Sequence, residues 1–149
     1  MQPSLNSFGG RLLFALIAIL SFAGVIDSGI ALQRHYAESP TRYCDFSQKF
    51  SCDIVNRSEY STLLGIPVAL IGVAGYAVLF ALSTLLRSRD QTRDWLLGAA
   101  LAGLGFALYL TYIEAYVLTT WCILCLISLA LISLISVFAG VLKVKSSRA

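Results

Sequence analysis

Apolar residues run almost unbroken from Leu12 to Leu32, Leu63 to Leu86, Trp95 to Leu118 and Trp121 to Leu142. Each run is close to the ~20 residues that an α-helix needs to cross a bilayer. The pattern predicts four membrane-spanning helices. Glycines and Pro67 inside the runs do not argue against this, because small residues let membrane helices pack closely. The longest polar stretch, Gln33 to Thr62, predicts an outer loop. The start "RLLFALIAILSFAGV" also has the basic flank and apolar length of a cleavable signal peptide. Apolar character continues beyond Asp27 and Ser28 to Leu32, which favours a retained helix.

Composition supports this reading. Hydrophobic residues make up 58% of the 149 and charged residues only 13%, about half the level usual for a soluble domain. Mean hydropathy is +0.79. The expected fold is an all-α integral membrane protein, a four-helix bundle with a long first loop, with residues 1–149 as one membrane domain. The basic residues form no stripe with interleaved aromatics, so nucleic acid is not an expected partner.

Charge placement predicts orientation. Arg11, Arg87, Arg89, Arg93, Lys143, Lys145 and Arg148 are seven of the eleven basic residues, and four spans place them all on one side. That side is then cytoplasmic, with both termini. Arg34, Arg42, Lys49 and Arg57 lie in the first loop beside Glu38, Asp45, Asp53 and Glu59. The loop and the head of the fourth span share the opposite, extracytoplasmic side of a plasma (inner) membrane.

The cysteines are Cys44 and Cys52 in the loop and Cys122 and Cys125 at the head of the fourth span. All four are expected on the oxidising side, where disulfides persist. Cys122 and Cys125, three residues apart on a helix, share one face. A helix N-terminus offers unpaired N–H groups and partial positive charge, which favour an anion, and cysteine reacts as the thiolate. One pair at the membrane boundary and one on a polar loop suit thiol–disulfide exchange between an aqueous partner and a lipid-phase acceptor. Two alternatives compete. A CxxC pair is half of a common zinc site, but the partner pair usually has a similarly short spacing, and Cys44 to Cys52 is longer. Two structural disulfides are the plainer reading of extracytoplasmic cysteines, although a bridge closing a CxxC loop constrains little unfolded chain. No metal is expected. His35, at the end of the first span, is expected to be solvated.

The ordered set Cys44, Cys52, Ser58, "GIPVALIGVAGY" and "YLTYIEAYVLTTWCILC" resembles the vitamin K epoxide reductase family, its bacterial branch most closely, along nearly the whole chain. The resemblance implies a four-helix bundle around a quinone, ubiquinone or menaquinone. It implies that Cys122 and Cys125 are the active-site pair, that Cys44 and Cys52 are the shuttle pair, and that Ser58 lies on a segment covering the bundle's mouth. It also implies a DsbA-like thioredoxin-fold partner. That partner is expected to be a separate protein, since many bacterial relatives carry a fused thioredoxin-like domain and this chain stops at Ala149. Vertebrate members have a quinone-contacting tyrosine where this chain has Leu129. Their asparagine at the start of the second span has no clear match near Pro67 and Val68.

The expected electron path runs from partner to Cys44 and Cys52, then to Cys122 and Cys125, and on to quinone, in support of disulfide formation. Cys125, one turn deeper, is the expected quinone-facing sulfur. Glu114 is either a buried functional acid, able to relay a proton or to cap Tyr112 or Ser58, or a group touching water at the membrane boundary. Asp27 raises the same question. Ser58, Glu114 and Tyr112 are candidate cofactor contacts. Tyr109 and Tyr112 are equally explained as interfacial aromatics. The competing class is a membrane subunit whose disulfides only hold its outer loop. A DsbB-like oxidase, with its CxxC usually at the first outer loop, fits less well. Cys125→Ala is expected to abolish turnover while leaving the protein membrane-inserted; loss of insertion together with activity, measured by membrane fractionation, would count against a catalytic role.

Overall fold

The computed structural model describes residues 5–36, 45–47, 50–51, 55 and 58–148. Helix α1 spans Leu5–Tyr36. Two short strands, β1 (Asp45–Ser47) and β2 (Phe50–Ser51), pair antiparallel. A 3-10 turn (Glu59–Ser61) leads to a second small hairpin, β3 (Thr62–Leu63) with β4 (Ile66–Pro67). Helices α2 (Val68–Thr84) and α3 (Thr92–Tyr112) follow. A π-helical turn, Ile113–Leu118, extends α3, and α4 (Ile123–Arg148) ends the fold.

Three stretches, Phe8–Tyr36, Thr92–Leu118 and Ile123–Arg148, are long and apolar enough to cross a membrane, and α2 is a shorter apolar helix. The chain thus has the helices of a membrane bundle. Several boundaries differ from the sequence expectation. Helix α1 continues at both ends past the apolar run, because a helix needs no apolar side chains once it leaves the hydrocarbon. The second helix begins at Val68, not Leu63. Leu64 and Gly65 both have positive φ, 54° and 83°, as a tight two-residue hairpin turn requires. Pro67, which has no N–H to give, then precedes the first turn of α2. At 17 residues, α2 is only about 25 Å long.

Side-chain pairs give the helix directions. Gly24 of α1 lies against Tyr76 of α2, and Ser28 against Gly72, so rising numbers on α1 meet falling numbers on α2. Gly103 of α3 meets Ile132 of α4, and Ser136 donates to the Ala100 carbonyl at 3.3 Å; these helices also run antiparallel. Arg93 donates to Ser146 at 2.8 Å, and Asp94 pairs with Lys143. The start of α3 and the end of α4 therefore share a basic end. The opposite end holds the close of α1, the π turn, the head of α4 and the 3-10 turn, where His35 Nδ1 lies 3.4 Å from Ser61 Oγ.

Two cores stabilise the bundle. The larger, toward the basic end, includes Phe14, Ile17, Leu79, Leu96, Ile135 and Leu142. The smaller, at the cysteine end, gathers Ala31, Val55, Cys122 and Leu124. Helices α2 and α3 are the least closely packed of the four neighbouring pairs. Small residues on both, among them Gly75, Ala102 and Ala107, face a space that they do not fill.

The α1–α2 seam depends on two absent side chains. A Cβ at Gly24 would overlap the Tyr76 ring, and one at Gly72 would lie 2.7 Å from Ser28 Oγ. Gly24→Ala is expected to destabilise the bundle by about 1–3 kcal/mol through overpacking, read as a lower midpoint in detergent denaturation, whereas Gly29→Ala, with nothing within 4 Å of the new Cβ, is expected to be near neutral.

Candidate active site at the head of the last helix

The segment between α3 and α4 is organised by one acidic residue. Glu114 lies on the π turn, and its backbone carbonyl accepts the N–H of Thr119 and that of Thr120 at 3.1 Å. Thr119 adopts φ 52°, the left-handed conformation that reverses the chain. The side chain of Glu114 then reaches across the reversal. Its Oε2 accepts the backbone N–H of Cys122 at 3.1 Å, immediately before α4 begins. The Cys122 carbonyl accepts Leu126 N–H at 3.0 Å and starts the helical ladder. An acid at a helix N-terminus is electrostatically favourable. The sequence left Glu114 open between buried and water-touching; it is 1% exposed.

The two cysteines of this segment face different surroundings. Cys122 is fully buried among Ala31, Val55 and Leu124. Val55 belongs to the segment that leads to Ser58 and packs over Cys122. Cys125 faces a cavity of about 550 Å³ lined by residues of all four helices. Its thiol also interacts with Cys122 and with the Glu114 carboxyl. No disulfide joins the pair in this structure.

The cavity walls are mostly apolar, with Leu79, Phe106, Leu110 and Ile132 among them. The polar groups facing it are few: Asp27 and Ser28 of α1, Tyr76 of α2, Ser128 and Cys125 of α4. Tyr76 Oη donates to the Ser128 carbonyl at 2.9 Å and lies 2.8 Å from Ser128 Oγ. The volume falls within the range of small-molecule sites, about 300–1,000 Å³, and so does the pattern of a few polar groups in an apolar wall. A quinone, a flat ring with two carbonyl oxygens and an apolar tail, fits these residues.

A second, smaller chamber of about 30 Å³ also borders Cys125. It is lined by Ser58, Tyr60, Ser61, Glu114, Leu118 and Cys125, among others. It is large enough for one water molecule. Ser58 Oγ donates to the Val55 carbonyl at 2.8 Å, and Ser61 Oγ to the Ser58 carbonyl at 2.7 Å, which fixes the turn that closes the chamber. Glu114 Oε1, unlike Oε2, has no hydrogen-bond partner among the described residues, at a cost of about 1–3 kcal/mol for a buried polar atom.

The candidate residues therefore divide. Cys122, Cys125, Glu114 and Ser58 come together. Tyr112 is 59% exposed, and its ring pairs with Tyr116 at 5.1 Å, away from the cavity. Tyr109 is also exposed. Cys44 and Cys52 lie outside the described residues. Asp27, raised only as a question, faces the cavity. His35, expected to be solvated, instead meets Ser61. Ser28, Tyr76 and Ser128 were not anticipated; their signal was polarity inside apolar runs. Among the described residues no cluster of His, Cys, Asp and Glu could hold a metal.

A model of the vitamin K epoxide reductase family matches residues 15–139, which includes both cavity walls, the Glu114 turn and the CxxC pair. The unequal surroundings of the pair have a direct readout. In the reduced protein, a small lipid-soluble maleimide is expected to modify Cys125 about tenfold or more faster than Cys122, since exposure governs thiol reactivity alongside thiolate character. Equal rates by mass spectrometry would contradict the assigned placement.

Proposed function

The chain belongs to the vitamin K epoxide reductase family, and from that membership we propose that it is a membrane thiol–disulfide oxidoreductase. It passes electrons from a reduced thioredoxin-fold (DsbA-like) protein to a membrane quinone, ubiquinone or menaquinone, and so supports disulfide formation in the compartment that the cysteines face. The observation that carries this reading is the position of the CxxC pair. Cys122 lies under the outer segment, and Cys125 lies in the wall of an apolar cavity of about 550 Å³.

The residues take these roles. A partner thiolate attacks the disulfide between Cys44 and Cys52, and the partner's second thiol then closes the partner's own disulfide and frees the other loop cysteine. The loop cysteine that is released attacks Cys122 Sγ in the Cys122–Cys125 disulfide, and Cys125 leaves and takes up the proton that the loop thiol gives up. The second loop cysteine then closes the loop disulfide again and frees Cys122. Cys125 holds its sulfur at the cavity wall, and Val55 covers Cys122. A bound quinone supplies the two-electron, two-proton acceptor. Asp27, Ser28, Tyr76 and Ser128 are the polar groups available to orient its oxygens. The basic residues at the end opposite the cysteines support an orientation with both termini cytoplasmic in the plasma membrane.

The test is quinone reduction by the purified protein in detergent with a reduced thioredoxin-fold donor. Cys44→Ala and Cys122→Ala are each expected to abolish it. Gly75 faces the cavity, and a Cβ there meets nothing, so Gly75→Leu is expected to lower quinone reduction by about 10-fold or more while leaving thermal stability unchanged. A wild-type protein that stays inert with ubiquinone and menaquinone analogues, its disulfides unchanged by the donor, would leave its cysteines as structural bridges.

A further inference from the structure

We propose that Glu114 is the catalytic base of the CxxC pair, its Oε1 taking the proton of the Cys125 thiol across the small chamber that the two side chains share. This rests on the reading above that Cys122 and Cys125 are the reacting pair.

Three observations carry it. Glu114 is buried with one carboxyl oxygen committed to Cys122 N–H and the other without a partner among the described residues. The carboxyl is within interaction range of the Cys125 thiol. Both line a chamber of about 30 Å³, with room for one bridging water. Holding the Cys122 N–H needs only one acceptor oxygen, which an amide or a hydroxyl would supply. A carboxyl with a second, unsatisfied oxygen beside a sulfur that must lose a proton has the makings of a base.

The chemistry balances. Oxidation of the pair breaks two S–H bonds, forms one S–S bond and releases two electrons and two protons, all taken up by the quinone acceptor. In the step assigned to Glu114, the Cys125 S–H bond breaks, an O–H bond forms on Oε1, and the thiolate faces the cavity. When Cys122 Sγ closes the disulfide, its own S–H bond breaks and that proton goes with the electron pair to the quinone, while the Cys125 proton follows from Oε1, which restores the carboxylate. The other titratable side chains near this path, among the described residues, are Tyr60 in the chamber wall, Cys122, and Asp27 and Tyr76 in the cavity wall.

The experiment compares wild type, Glu114→Gln and Glu114→Ala in the reduced form, by two measurements. The first is the rate of Cys125 alkylation by a small uncharged maleimide across pH, which needs no quinone. The second is single-turnover oxidation by a quinone analogue. Glu114→Gln keeps an acceptor for the Cys122 N–H. It is expected to lose alkylation rate near neutral pH about tenfold, regained in alkaline solution, and to lose oxidation rate by about 10²-fold. If Glu114→Gln matches wild type in alkylation while Glu114→Ala does not, the carboxyl only holds the turn and the proposal is overturned. Should Glu114→Gln fail to fold, infrared difference spectra of wild type carrying 13C-glutamate, dithiol against diamide-formed disulfide, decide the matter. A glutamate carboxyl band that changes with the redox state supports the base, and an unchanged band removes it. A wild type inert toward quinone but alkylated as described separates failure of the quinone reading from failure of this one.

Discussion

The hydrogen bond from Cys122 N–H to Glu114 Oε2 ties together everything at the cysteine end. Without it, the first N–H of the α4 entrance is buried with no acceptor, and the reversal through Thr119 loses its anchor. Glu114 makes the turn with both halves of its chemistry: its carbonyl gathers Thr119 and Thr120, and its carboxyl fixes Cys122. The π-helical geometry of Ile113–Leu118 makes this possible. Widening the turn by one residue rotates Glu114 inward and lets it look along the axis of α4 rather than out from α3.

That placement also sets which sulfur faces what. Once Cys122 is fixed at the threshold of α4, Cys125 follows one turn into the bundle and must open on its interior. The interior there is hollow because α2 and α3 present small residues across a gap, while α1 and α2 close tightly through Gly24 and Gly72. Small residues thus do two opposite things in one bundle. Where they meet larger partners they draw helices together, and where they face each other at a distance they leave room for a ligand.

Much of this was legible in the sequence, and the misplaced parts have physical reasons. Apolar runs of membrane-spanning length mark the helices because nothing else stabilises such runs. They mark the ends poorly. Asn6, Ser7, Gln33 and Arg34 are helical in α1 yet polar, and Leu63 to Ile66 are apolar yet form a hairpin. The cysteine pattern pointed to the site because its spacing is chemical rather than periodic. Glu114 could not be placed in depth, since a 3.6-residue period does not hold through a π turn. The Tyr76–Ser128 contact joins residues from different runs, which no local pattern reports.

The cavity between the two cores has a bearing on how much folded protein a cell holds. Wall atoms around an unfilled space forgo the dispersion contacts that a packed interior provides. Any apolar molecule that enters from the bilayer restores some of them, and by mass action it stabilises the folded chain in proportion to its abundance. The bundle is thereby coupled to the chemical make-up of its solvent: a membrane rich in molecules that fit the space sustains more intact protein than one that is poor in them, before any electron has moved.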